Sequence, residues 1–144
     1  MVQITVGVKL GYATARVDEV IPTYTYLPNI TGIPALGSTP STHNVTDLSN
    51  TQKVYIAGLT DNGGNLDFPC NFTKEILTAV ETAMTAQKTA TQEWCVEFPA
   101  PLAKRCYFEG TVSQVYNSSA DVDTPLTGTL SIIPSTELLW EDIV

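Results

Sequence analysis

The chain has 144 residues, 43% hydrophobic and 15% charged, with a formal net charge of −8. That length suits one domain with a substantial core, and the hydrophobic content excludes disorder by composition. The seven lysines and arginines are scattered, with only Lys104 and Arg105 adjacent, which excludes the concentrated cations needed to grip nucleic acid.

Abundant Thr and Val and scarce Lys favour strands. So low a charged fraction fits a surface that is partly buried against other subunits. Cys70, Cys95 and Cys106 are far apart and form no CxxC pair, so they read as reduced, half-buried thiols. The apolar start lacks a basic n-region, so no signal peptide is expected, and no apolar run approaches transmembrane length. Four Asn-x-Ser/Thr sequons, at Asn29, Asn44, Asn71 and Asn117, read as a product of the Thr- and Ser-rich composition.

Residues 2–10 alternate, with Val2, Ile4, Val6, Val8 and Leu10 on one side, the period of a half-buried strand that Gly11 is expected to end. Residues 16–27 form a second extended piece in which Pro22 marks an edge or bend. Tyr24 and Tyr26 share a face there. The stretch 27–68 then organises the chain: two apolar pieces flank a polar arm at about residues 36–53. Pro34, Gly37 and Pro40 interrupt the arm's start, so simple hairpin pairing is not expected. A loop beyond about 12–15 residues in a small domain is functional or disordered, and this one reads as an assembly arm.

Residues 53–59 return as a strand. The Asn/Gly-rich turn 60–65 predicts 66–72 as its hairpin partner. Thr73 caps a helix through about residue 88, with Glu75 in its first turn. Ile76, Leu77, Val80, Ala83 and Met84 form an apolar stripe for packing on a sheet. Residues 91–98, 105–116 and 126–133 read as strands, with Gly110 at a bulge or close contact. The tail 137–144 mixes Leu138, Leu139, Trp140 and Ile143 with acids, so it needs a partner in its own domain or a neighbour. The expected fold is mainly β (α+β), a sandwich or barrel of about seven or eight strands with one flanking helix.

No catalytic constellation emerges. His43 is the only histidine, so any triad or histidine-bound zinc would have to use it, and no Gly-x-Ser-x-Gly elbow accompanies it. Counted as an EF-hand from Asp61, positions six and twelve are Leu66 and Phe72 rather than Gly and Glu. Asp121 with Asp123, and Glu141 with Asp142, read as solvated acids. No catalytic, cofactor or metal site is expected, and the chain is not read as an enzyme.

Taken in order, several runs resemble the major tail tube proteins of long, non-contractile-tailed bacteriophages. These are GVKLGY at 7–12, LPNITGIPALGSTPSTHNVTDLSN at 27–50, YIAGLTD at 55–61, GNLDF at 64–68, Asn71-Phe72 before the helix, FEGTVS at 108–113, and the closing Ile133-Pro134-Ser135. The resemblance implies a tail-tube-like barrel with one flanking helix, assembled as hexameric rings that stack into a tube. The long loop would reach a neighbouring ring and DNA would pass through the lumen without specific binding. It implies a virion protein made in the bacterial host cytoplasm. Its partners would be copies of itself and the tape measure, distal tail and tail terminator proteins.

On that reading the inter-subunit contacts are Pro40, His43, Val45, Asp47, Leu48, Tyr55, Leu138 and Trp140, and the lumen-facing candidates are Asp61 and Asp67. The alternatives are a secreted β-sandwich binding module, which needs a disulfide, and a small hydrolase using His43.

Overall fold

A computed structural model describes residues 7–37, 39–61 and 64–143. Among them are nine strands and one helix: β1 (Lys9–Thr14), β2 (Thr25–Tyr26), β3 (Thr39–Asn44), β4 (Tyr55–Asp61), β5 (Leu66–Asn71), α1 (Lys74–Gln87), β6 (Gln92–Phe98), β7 (Lys104–Asn117), β8 (Thr127–Pro134) and β9 (Leu139–Asp142). The mainly β class with a single helix is as the sequence predicts. Val2, Ile4 and Val6 of the expected first strand lie outside the described residues.

Seven strands form one antiparallel sheet, in the order β2-β1-β6-β7-β8-β5, with β9 also on β7. The long strand β7 is its spine. Its first half pairs with β6 and β9, and its second half pairs with β8. Where β6 ends opposite Gly110, the Gln87 side chain takes over. Its amide accepts from the Val112 N–H at 2.9 Å and donates to the Val112 carbonyl at 3.2 Å. The open edge of β7 is thereby capped, as buried backbone groups require.

The sheet curls until residues 29–31, just past β2, meet β5. Thr31 N–H donates to Pro69 O at 2.8 Å and Asn71 N–H donates to Asn29 O at 2.8 Å. Only an isolated bridge, Ile30 to Cys70, spans this seam, so the sheet stays open and approximates a β-sandwich.

Alternation builds the core. On β5, Leu66, Phe68 and Cys70 turn inward while Asp67, Pro69 and Asn71 face out. Trp94, Phe68, Phe108, Leu10, Leu130 and Ile132 are fully buried, each worth about 1.5–3 kcal/mol relative to exposure. Thr73 caps α1 as predicted, its hydroxyl accepting from the Ile76 N–H. Ile76, Val80 and Ala83 close the helix onto the core.

Four expectations need correction. Gly11 does not end the first strand but sits in the middle of β1, paired with Tyr26 and Cys95. A Cβ there would come within 2.9 Å of the Tyr26 ring, so the glycine admits the tyrosine rather than breaking the strand. The extended piece 16–27 contributes only the two-residue β2. The 53–59 strand and its predicted partner are not a hairpin. β5 pairs with β8 instead, because its inward residues match the inward Leu130 and Ile132, and core burial outweighs the turn signal. Finally, the arm does pair: β3 and β4 form a sheet of their own, absorbing an irregularity between Pro40 and Thr42.

Candidate assembly surfaces

The β3–β4 hairpin is a two-stranded ribbon whose register runs from Thr39 opposite Asp61 to Asn44 opposite Tyr55. It pairs with no strand of the main sheet. A lone two-stranded ribbon is marginal in water, and this one leaves Tyr55, Ile56 and Leu59 exposed, Leu59 at 88%. His43 lies across Gly58, where a Cβ would meet Nε2 at 2.5 Å.

The tip is ordered by its own polar groups. Thr46 Oγ1 accepts from the Val54 N–H at 2.8 Å, Asp47 Oδ1 from the Ser49 N–H at 2.8 Å, and Asn50 Oδ1 from the Asp47 N–H at 2.8 Å. Hydrogen bonds from Ser49 hold the Asp47 carboxyl below its ordinary value. From this preorganised turn Leu48 projects fully into solvent, at 107% relative exposure.

The ribbon therefore gathers His43, Val45, Asp47, Leu48 and Tyr55 on one projecting element. Pro40 and Asp61 lie on its paired backbone, and their side chains fall outside the described structure. Asp67 sits apart, exposed on β5 opposite Ser131. At the tail, Leu138 is buried in the core of its own chain, and Trp140 stacks on Phe98 at 5.8 Å while remaining half exposed. Ile56 and Leu59 were missed because the sequence marks this segment only as a returning strand, and its pairing with β3 in a ribbon separate from the main sheet is not visible there.

A second constellation was also missed, and it corrects the reading of Glu141 as a solvated acid. Arg16 Nε donates to Glu93 at 2.9 Å and Arg16 Nη1 to Glu141 at 3.0 Å. Arg105 Nη1 donates to Glu141 at 2.9 Å and Arg105 Nη2 to Glu97 at 2.6 Å. The Tyr24 hydroxyl donates to Glu93, and Arg16 lies 3.9 Å over the Tyr107 ring. Sequence separations of 77 and 125 residues join the segment after β1 to β6 and β9.

The charges hold one another. Hydrogen bonds to Glu141 and Glu93 keep the Arg16 guanidinium well above its ordinary range. Burial opposes the charge on Glu141, but the guanidinium hydrogen bonds outweigh it and its carboxyl lies below its ordinary value. Burial, then the Glu93 bond, push the Tyr24 phenol up, and burial with Glu97 pushes Tyr26 up to about 12. Every charged group here is already partnered, so the cluster is a clasp across the sheet's outward face. Among the described residues no group of three or more His, Cys, Asp or Glu could hold a metal ion.

No protein-family model matches the chain, and no curated protein does. Solved structures do. A chain of the anti-feeding prophage baseplate superposes with a TM-score of 0.67 at 12% identity, covering 99% of both chains. A chain from the tail of an empty gene transfer agent particle gives 0.67 at 9% identity, covering 97% of this chain and 99% of that one. The tail tube of SPP1 gives 0.58 at 11% identity, covering 95% and 77%. The chain has a tail-tube fold. The tail-tube-like architecture predicted from sequence thus holds across nearly the whole chain.

Proposed function

We propose that this chain is the structural subunit of a tail tube, forming hexameric rings that stack so that the lumen can conduct DNA. The observation that carries the reading is the β3–β4 ribbon. An ordered hairpin with a fully exposed leucine at its tip, projecting from a tail-tube fold, is built to be covered by another molecule. The baseplate and gene transfer agent neighbours come from particles described with six-fold symmetry, which supports the ring number. On this reading the contact residues are His43, Val45, Asp47, Leu48 and Tyr55, with Pro40 on the same ribbon and Trp140 at the tail. The chain has a scaffolding role and no catalytic one.

The structural neighbours include an extracellular contractile injection system as well as the SPP1 tail tube. Assignment to a long, non-contractile phage tail rests on the order of the sequence runs at residues 7–12, 27–50 and 55–68. It carries with it the virion location, synthesis in the host cytoplasm and the tape measure, distal tail and terminator partners. Negative-stain microscopy of the purified protein tests the central reading. Rings or tubes support it; particles of single-subunit size at every concentration and salt condition refute it.

A further inference from the structure

The turn after β1 presents an apolar and acidic surface to solvent, and we infer that it is the seat for the ribbon tip of a second copy of this chain, a step that rests on the tube reading. Residues 15–24 leave β1 and cross the outward face of the sheet. Arg16 pins them to Glu93 and Glu141, and Tyr24 pins them to Glu93. Between the two pins the chain turns tightly, with the Val20 N–H donating to the Val17 carbonyl at 3.1 Å. Asp18 and Glu19 both take left-handed backbone there, at φ 54° and 60°, a strained conformation that persists where the surroundings impose it. The turn holds Val17, Val20 and Ile21 out in solvent, Val17 at 73% exposure.

Beside the turn lies a crevice of about 270 Å³, whose lining includes Arg16, Glu19, Glu93, Tyr107, Glu109 and Leu139. That is several times the roughly 30 Å³ share of a water molecule, so it has room for side chains. Leu139 gives it an exposed apolar wall. Its charge is unbalanced. Glu93 and Glu109 stand directly opposite on β6 and β7, and like charges so placed repel. Arg16 answers Glu93. Among the described residues no cation is paired with Glu19 or Glu109. The surface therefore favours a cation carried on an apolar segment.

The ribbon tip has that chemistry. Val45, Leu48 and Val54 are exposed on it. The Asp47 carboxyl is engaged by Ser49 within its own turn, which leaves Lys53 as the exposed charge of the tip, paired with no carboxylate among the described residues. Seating the tip on the turn covers aliphatic side chains of both copies and brings Lys53 to Glu19 and Glu109. Such a contact joins one surface to a different surface of the next copy, the heterologous kind that propagates a stack.

Disulfide trapping tests the seat. Lys53→Cys and Glu19→Cys are made in separate chains, which are mixed and assembled. The native cysteines are buried, so the introduced thiols are the ones that oxidise in folded tubes. Mixed tubes under a mild oxidant should give a disulfide-linked dimer on a non-reducing gel, and tubes of either variant alone should give none. Each chain carries one new thiol, so the dimer can only join two subunits. Mixed tubes without that dimer, or an equal dimer from one variant alone, overturn the inference while the tube reading stands. Charge exchange is the second measurement. Glu19→Lys and Lys53→Glu should each raise the subunit concentration needed for tubes, and both together in one chain should bring it back. No effect of either, or no recovery, overturns the inference as well. Absence of tubes from the unmodified protein fails the tube reading instead.

Discussion

Glu141→Gln is the sharpest probe of the clasp. The carboxylate accepts from Arg16 Nη1 at 3.0 Å, Arg16 Nη2 at 3.1 Å and Arg105 Nη1 at 2.9 Å. Removing its charge leaves neither arginine orphaned, since Arg16 keeps Glu93 and Arg105 keeps Glu97. The loss therefore falls below the roughly 3–5 kcal/mol of a broken buried pair. With its side chain only 17% exposed, it also exceeds the roughly 0–1 kcal/mol of a surface pair. Hydrogen bonds to charged groups contribute about 1.5–3 kcal/mol, which gives an expected loss of about 2 kcal/mol.

Urea unfolding at pH 7 reads that loss directly, and the melting temperature should fall by about 4–8 °C. The sign of the pH dependence follows from the depressed Glu141 carboxyl. A carboxyl held lower in the folded state stabilises above its unfolded value, and that contribution is lost as pH falls through the folded value. The gap between the parent and variant proteins should thus persist at neutral pH, begin to shrink near the unfolded carboxyl value of about 4.3 and close only below the lower folded value. A loss under about 0.5 kcal/mol, or a gap unchanged in acid, would show the clasp to be ordinary surface charge.

Three further outcomes are expected. Replacing residues 39–61 by a short Gly-Ser link should leave a folded core, because Thr39 and Asp61 are paired at the ribbon's base and the ribbon pairs only with itself; sedimentation should then show no tubes, and normal tubes would end the arm's role. Gly110→Ala should cost about 1–3 kcal/mol in chemical unfolding, because a Cβ there would sit 2.7 Å from the Ile133 carbonyl oxygen; an unchanged midpoint would deny that close approach. The three cysteines should resist a thiol reagent in the native protein and all react once it is unfolded, since they are buried and burial pushes Cys106 up to about 11 and raises Cys70 and Cys95; a fast native thiol would contradict the packing.

Much of the scaffold was legible because its signals are local. Thr73 with Glu75 announces the helix, and alternation marks β5 through Leu66, Phe68 and Cys70. Pairing was less legible. The turn after Asp61 looks like a hairpin turn, yet the partner of β5 is β8, some sixty residues on, chosen by which inward residues complete the core. The clasp was invisible because Arg16, Glu93 and Glu141 meet only after the sheet has formed. The arm was half read: its polarity and length stood out, but strand pairing absorbs the Pro40 interruption in a local register shift.

The ribbon's reach is the central claim, and a helical reconstruction of the assembled tube tests it most directly. Density for residues 39–61 should extend from one ring onto a subunit of the next, with Leu48 covered there. A ribbon folded back on its own subunit, or left in solvent along the tube, would contradict the account.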